Sequence, residues 1–400
     1  MRSLKKCLLR ERAHTKLSYL IDFVKDSGKD TAILVDGTSS SIFPNRINIY
    51  IPMRGLIGKI ELYMCLMLNG INPLSVEVLT SSMQLDDSND LLFGDSNIGG
   101  TFNAGLGKGC EFNKFKGRKI LHFSHFFKII SAVSANIKDS GVVYGAAEAD
   151  LTKSPFFKKY YPYIENIYLL PFALEERFKM VAPFEERANK CLAIGSLHDF
   201  AITKHTKDYY EYFGRNSLHK MRREIYDHSN DLRGLIDVKI YMYGKERNHS
   251  NNRYTVLEEL IDFFSAGRQK SYFSFDIVNE YNKYQMFISP EEDVGLPSIN
   301  FIEGMACGCA YIGVESSIYS DLGLIPSTHY ISYDGSIEDL RKKIVYYQNH
   351  SSITQKIASE GRRFVCESFG KKNFRQKVWK DLTHFQETDE LVSSFYASNL

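Results

Sequence analysis

The residues best equipped for chemistry lie between Met286 and Val314, in MFISPEEDVGLPSINFIEGMACGCAYIGV. An apolar run reads as a strand and leads into three successive acids, then Gly295-Leu296-Pro297. A short helical pattern follows, opened by Ser298 or Asn300 and carrying Glu303 in its first turn, and then a second apolar run. A helix start presents backbone N–H groups without intrahelical acceptors and the positive end of the helix dipole, about half a unit charge. That makes a seat for a diphosphate. Glu303, an acceptor only, could take both hydroxyls of a ribose beside it. A bland alternative uses the same residues: Asn300 and Glu303 have capping-box spacing, so Glu303 could simply satisfy the first N–H groups of its own helix.

Other candidates follow from their place relative to strand ends, where open α/β sheets bind ligands. Leu121-His122-Phe123-Ser124-His125 ends a strand, and His125, nearer the loop, is the better placed histidine to reach a cleft. A core histidine bonded to backbone is the alternative for either ring. Glu148 and Asp150 follow another strand and read equally as cleft carboxylates or as a helix cap. Lys190 to Gly195 reads as a strand that runs into a Gly195-Ser196 turn. The glycine-rich stretch Gly94–Gly117 fails the tests for a phosphate loop, because Lys108 is followed by glycine, and for a dinucleotide fingerprint, whose third glycine would be Cys110. It reads as a surface loop.

These groups need a frame to hold them. The pattern of short apolar or β-branched runs alternating with helical stretches is that of βαβ units around parallel sheets. Strands are expected at Thr31–Val35, Ile47–Pro52, Ser75–Leu79, Lys119–Phe123, Gly141–Gly145 and Asn166–Pro171. Helices at Ile57–Leu68 and Phe126–Ile137 fall between them. The pattern restarts with strands at Lys190–Gly195, Val238–Tyr243, Gln285–Ser289 and Ala310–Val314. Helices close the chain at Ile337–Tyr347, Ser352–Phe369 and Lys372–Phe385. Two α/β units in tandem are expected, joined around Pro171–Lys190.

Bulk composition narrows the classes. The chain has 400 residues, 44% hydrophobic and 24% charged, which suits two globular domains and not a disordered chain. A net charge of +2 points to no nucleic-acid partner. Seven scattered cysteines fit free thiols in a reducing compartment, and Cys307 with Cys309 lacks the second pair of a zinc site. No run approaches the length of a membrane span. Residues 1–25 set Lys5, Lys6, Arg10, Arg12 and Lys16 among leucines at roughly helical spacing. Such a segment is compatible with peripheral contact on an anionic membrane, or with a first helix packed on its own domain.

The Met286–Val314 segment resembles the donor-site signature of group-1 glycosyltransferases with the GT-B fold, roughly E-G-F-G-L-P-x-x-E-A-M-A-C-G-x-P-V-I. The matching residues are Glu292, Gly295-Leu296-Pro297 and Glu303-Gly304-Met305-Ala306-Cys307-Gly308. The resemblance implies that Glu303 binds the donor ribose, that Gly295, Ser298, Ile299 and Asn300 hold phosphates, and that Glu292 touches the donor sugar. This chain departs from the signature in one respect: five residues, Ser298 to Ile302, separate Pro297 from Glu303 where the family has two. Tyr168-Leu-Leu-Pro-Phe-Ala-Leu174 resembles the strand leaving the first domain of that family. Lys190-Cys-Leu-Ala-Ile-Gly-Ser196 resembles the opening strand and phosphate-facing turn of the second, so Gly195 and Ser196 join the donor-site candidates.

What the resemblance implies is a pair of Rossmann-like domains facing each other across a cleft. The acceptor domain would span 1–185 and the donor domain 186–373, with a C-terminal helix over 374–400 crossing back to the first. The partners implied are a nucleotide-sugar donor and a glycan or lipid-linked glycan acceptor, with His125 as a catalytic candidate. Charge builds on the departing diphosphate and calls for cations, for which Lys204, Arg222, Arg223 and Lys245 are candidates. Arg222 and Arg223 are adjacent on one helical segment, so at most one faces the cleft. No Asp-x-Asp pair occurs, which favours stabilisation by side chains and dipole over a metal; no metal and no cofactor beyond the co-substrate are expected. Retention at the anomeric carbon, a part in surface polysaccharide synthesis and a cytoplasmic location at the inner face of the membrane complete the implied picture. A degenerate transferase kept as a binding subunit, or a sugar-nucleotide epimerase, would use the same frame.

Overall fold

A computed structural model describes residues 31–36, 39–44, 47–51, 67, 72, 74, 77–79, 81–95, 111–123, 126–127, 130–203, 206–243 and 276–391. The expectations for residues 1–25, for most of the helix Ile57–Leu68, for loop residues 96–110, and for His125, Lys204 and Lys245 lie outside these described residues.

The described chain forms two sheets. The first contains β1 (Thr31–Asp36), β2 (Ser39–Pro44), β3 (Ile47–Ile51), β4 (Glu77–Leu79), β5 (Leu91–Asp95), β6 (Arg118–His122), β7 (Tyr144–Ala147) and β8 (Asn166–Leu169), in the order β4-β1-β2-β3-β5-β6-β7-β8. Strands β3, β5, β6, β7 and β8 run parallel, as βαβ connection requires. The sheet is not parallel throughout: β1, β2 and β3 form an antiparallel meander. Strand β2 is polar and serine-rich, and β5 ends in Gly94-Asp95 at the head of the glycine-rich stretch that reads as a loop, so neither gave a strand signal in the sequence.

The second sheet is fully parallel. It contains β9 (Ala188–His198), β10 (Ile236–Tyr243), β11 (Tyr284–Ile288), β12 (Ala310–Val314) and β13 (Ile331–Tyr333), in the order β10-β9-β11-β12-β13. Strand β11 is buried at every residue, which explains its apolar run Met286–Ile288. The two Rossmann-like units expected from the sequence are therefore both present.

Eight helices matter for the argument: α1 (Ile130–Asp139), α2 (Pro155–Tyr160), α3 (Lys207–Phe213), α4 (Lys220–Asp227), α5 (Asn300–Ala306), α6 (Ile337–Asn349), α7 (Ser351–Phe369) and α8 (Lys371–Thr388). Two of these starts are legible in local chemistry. Ser154 caps α2 by accepting from the Phe157 N–H, with Pro155 at the first helical position. Ser336 caps α6 by accepting from the Asp339 N–H.

Helix α8 returns to the first sheet, as the fold expectation required. Its buried residues Phe374, Val378, Leu382 and Phe385 recur every three to four positions and form one apolar stripe. Phe385 meets Tyr144 of β7 edge-on at 4.9 Å, and the Tyr168 hydroxyl of β8 donates to buried Asp381 at 3.0 Å. At the end of α8, Asp389 is held by Arg118 of β6.

The two units also touch directly. Ser154 Oγ donates to the Val294 carbonyl at 3.2 Å, Lys153 pairs with Asp321 at 2.6 Å, and Val294 and Leu296 are buried in one apolar cluster with Phe156 and Phe157. The acidic loop of the second unit thus lies against the first.

Candidate functional site

Strand order alone locates a crevice. From β9 the chain first adds β10 on one side and then β11 on the other, so the order reverses between β9 and β11. In an open parallel sheet a ligand settles beyond the carboxyl ends of the strands at such a reversal. The residues there are Gly195 and Ser196 of β9, and Ser289 and Pro290 directly after β11.

Here one expectation needs correction. Gly195-Ser196 is not a turn: β9 continues to His198, with Gly195 opposite Ile240 and Ser196 opposite Tyr241 of β10. The glycine has another reason to be there. Its φ of +138° is a conformation that side chains disfavour, and a Cβ added to it would stand 2.9 Å from the Arg222 guanidinium carbon. Gly195 leaves room for Arg222 to lie on the strand.

Arg222 is 5% exposed and spans the crevice. Its Nε donates to the Pro290 carbonyl at 3.1 Å and its Nη1 to the Ser196 carbonyl at 3.0 Å, so one guanidinium ties the end of β9 to the chain leaving β11. Nη1 also lies 3.0 Å from His219 Nε2, and His219 Nδ1 lies 3.2 Å from the Glu291 carbonyl. Arginine can only donate, so the arrangement fits the histidine tautomer with its proton on Nδ1. Arg223, one residue on, turns about 100° away around α4. It pairs with Asp199 and, at 3.9 Å, with Asp227. Of the two adjacent arginines it is Arg222 that occupies the crevice.

The three acids of the loop diverge. Glu291, which the sequence reading passed over, accepts from the Tyr319 hydroxyl and from the Val314 N–H at 3.4 Å, and the Tyr311 and Tyr319 hydroxyls stand 2.6 Å apart. Burial pushes its carboxyl above the usual range, against the pull of Tyr319 and the Arg222 charge. Asp293 turns toward Arg215, whose Nε donates to it at 2.7 Å, and burial raises its carboxyl too. Glu292 stands between them, its N–H donating to the Leu296 carbonyl and its carbonyl accepting from the Gly295 N–H, both at 2.9 Å. Gly295 has φ +94°, and a Cβ added to it would stand 3.8 Å from the Ser154 Cβ of the first unit.

Helix α5 begins at Asn300, three residues before Glu303. Ile299 is the N-cap and makes no side-chain cap bond, so the capping box that Asn300 and Glu303 could have formed is not made. Glu303 lies in the first turn, 3% exposed. Of the five residues between Pro297 and Glu303, Ser298 and Ile299 precede the helix and Asn300 to Ile302 form its first turn. There Ser289 Oγ donates to Ser298 Oγ at 3.1 Å, and Asn300 Nδ2 donates to Ser289 Oγ at 3.1 Å. Gly195, Ser196, Arg222, Ser298, Ile299, Asn300 and Glu303 thus belong to strand ends and connections of one sheet edge.

On the first unit, the described part of the facing edge carries His122 at the end of β6 and Glu148 just beyond β7. Both are buried, with Nε2 and Oε1 3.9 Å apart. Asp150 acts as a cap, its carboxylate accepting from the Thr152 N–H at 3.1 Å and hydroxyl at 2.6 Å.

No protein-family model and no curated protein matches the chain. It is similar to a solved glycosyltransferase from Rickettsia africae, with 13% identity, 79% of this chain and 86% of that one covered, and a TM-score of 0.45. It is similar also to sucrose-phosphate synthase from Thermosynechococcus elongatus, with 12% identity, 75% and 74% covered, and a TM-score of 0.47. For HepE of Anabaena in complex with UDP-glucose the values are 10% identity, 92% and 95% covered, and a TM-score of 0.49.

Proposed function

We propose that the protein is a glycosyltransferase that moves a sugar from a nucleotide-sugar donor to a glycan or other acceptor. The observation that carries this reading is the meeting of a buried arginine, Arg222, with the sheet's β9/β11 reversal, on the same edge that opens α5 and carries Glu303.

In this reading Glu303 takes the donor ribose. The turn Gly295–Asn300 offers backbone N–H groups to the diphosphate, and Glu292 faces the sugar from the boundary between the units. As the bond from the anomeric carbon to the diphosphate breaks, charge grows on the leaving oxygens; Arg222 is the cation placed to meet it. Lys204 and Lys245 are further candidates for that charge. Acceptor binding falls to the first unit, with His125 as its catalytic candidate. Transfer with retention, without a metal or other cofactor, follows the resemblance of the donor segment and the lack of an Asp-x-Asp pair. Polysaccharide synthesis at the cytoplasmic face of a membrane, with a lipid-linked acceptor and residues 1–25 as a peripheral contact, belongs to the same proposal. No helix among the described residues is long and apolar enough to cross a membrane.

The test is Glu303→Ala assayed against a panel of nucleotide sugars. The variant is expected to keep its fold and lose turnover on the order of a hundredfold or more, since a buried acceptor for substrate hydroxyls is gone. Wild-type turnover in the variant would overturn the site.

A further inference from the structure

Between β9 and α4 the chain leaves its own sheet. The described residues 199–203 and 206–218 carry α3 onto the first unit, where the ring of Tyr209 meets Phe127 and Phe156, each with centroids at 6.0 Å. The ring is fully buried. Its hydroxyl reaches out of this aromatic cluster toward the acidic loop, lying 3.0 Å from Asp293 Oδ2 and 2.8 Å from the Ser217 carbonyl.

Asp293 is held from every side. Arg215 Nε donates to Oδ2 at 2.7 Å, the Lys220 N–H to Oδ1 at 3.2 Å, and its own N–H donates to the Leu218 carbonyl at 2.7 Å. The peptide plane that supplies this N–H is shared with Glu292. Fixing Asp293 therefore fixes the main chain from which the Glu292 carboxylate projects. On the first unit, α3 is seated by the Asp208 carboxylate, which accepts from the Ser131 N–H at 3.0 Å and hydroxyl at 2.9 Å.

We propose that Tyr209 and Asp293 are a positioning pair, coupling the seating of α3 on the first unit to the placement of Glu292. The proposal rests on the reading of Glu292 as the residue that faces the donor sugar. With α3 docked, the Tyr209 hydroxyl holds the loop; with α3 displaced, the loop loses that anchor. The sugar-facing carboxylate is then in place only when the two units are together, which ties the reaction to a closed, water-poor cleft.

The experiment compares wild type, Tyr209→Phe, Asp293→Asn, the double variant and Tyr212→Phe in transfer from a nucleotide sugar, reading kcat, donor KM, the hydrolysis-to-transfer ratio and Tm. Tyr209→Phe keeps the ring and removes only the hydroxyl. It is expected to lower kcat roughly ten- to a hundredfold, as a displaced reacting group does. Donor KM should stay within about twofold and the hydrolysed share of donor should rise. Asp293→Asn, which gives up the Arg215 pair and one of two acceptor oxygens as well, should lower kcat and raise the hydrolysed share at least as much. The double variant should be no worse than Asp293→Asn, because the loss of the hydroxyl bond is counted once. Tyr212→Phe, on the same helix with no bond to the loop, should behave as wild type.

Additive losses in the double variant, wild-type kcat in Tyr209→Phe, or a fall in Tm without a change in the hydrolysis ratio would overturn the pair. If Tyr209→Phe fails to fold, Asp293→Asn decides by the same ratio. A wild-type protein that transfers no sugar from any nucleotide donor sinks the functional reading and the pair with it. An active wild type with unaffected variants sinks the pair alone.

Discussion

Gly195 shows how one missing side chain can set up a charge. Its backbone is in a region open mainly to glycine, and the space a Cβ would fill holds the Arg222 guanidinium. In Gly195→Ala the guanidinium must move while the backbone takes on strain of about 1–3 kcal/mol. We expect the variant to fold, to lose about that much stability in urea titration, and to lose transferase turnover on the order of a hundredfold, as Arg222→Ala would. Unchanged turnover in Gly195→Ala would show that Arg222 does not serve the reaction. Much of this was legible as residue type: the sequence marks Gly195, the adjacent arginines and the acidic loop. Which arginine faces the crevice was not, because helical phase at α4 depends on where the helix starts, and His219 gives no side-chain cap to announce it. The same holds for Glu291, Glu292 and Asp293. Three adjacent acids look alike until Tyr311 and Tyr319 claim one and Arg215 another.

Elements were legible where burial left a long periodic signal and illegible where pairing came from elsewhere. Strand β12 and helix α5 occupy the spans their patterns predict, and helices α6, α7 and α8 lie within a few residues of theirs. Strands β2, β5 and β13 did not register, being short, polar or held by neighbours already in place. The connection that carries β12 into β13 has its own lock. Buried His329 accepts from the Ile325 N–H through Nδ1 at 3.0 Å, and its ring leans on Phe364 of α7 at 4.5 Å. Burial, with Arg363 assisting and Glu360 opposing, holds this imidazole below its ordinary value of 6.5. A histidine kept neutral in the fold binds its proton more readily when unfolded. Its contribution is therefore present above the ordinary histidine value and is lost as pH falls through it toward the lower folded value. Unfolding by urea at a series of pH values should show stability declining below about pH 6.5, and His329→Asn, which can still accept from Ile325, should flatten that part of the decline. An identical slope in both proteins would assign the acid sensitivity to other groups.

At the scale of the molecule, the chain passes between its units by the segment after β8 and by the junction of α7 with α8, and the two passages are stapled together. The Leu174 N–H donates to the Phe369 carbonyl at 2.7 Å, and Leu174 forms a parallel bridge with Gly370. Beyond that junction, α8 is fixed to the first sheet by the Tyr168 hydroxyl on Asp381, a carboxylate that Lys377 of the same helix also holds, so rotation of one unit on the other must pass through the stapled passages around Leu174 and Gly370. Elsewhere α3 closes the contact at Ser131, the acidic loop at Ser154, and Asp321 at Lys153. Tandem α/β units could be read from the repeated pattern. Their mutual seating could not, because the aromatic residues of 199–218 gave no sign of packing on the other unit. The central claim is that a nucleoside diphosphate is gripped at the β9/β11 reversal between these units. It is tested most directly by titrating wild type, Arg222→Ala and Glu303→Ala calorimetrically with UDP, GDP, ADP and CDP. Saturable binding of at least one of them by wild type, weakened about tenfold or more in each variant, is predicted. Affinity that is equal in all three proteins, or no binding by wild type to any of the four, would contradict it.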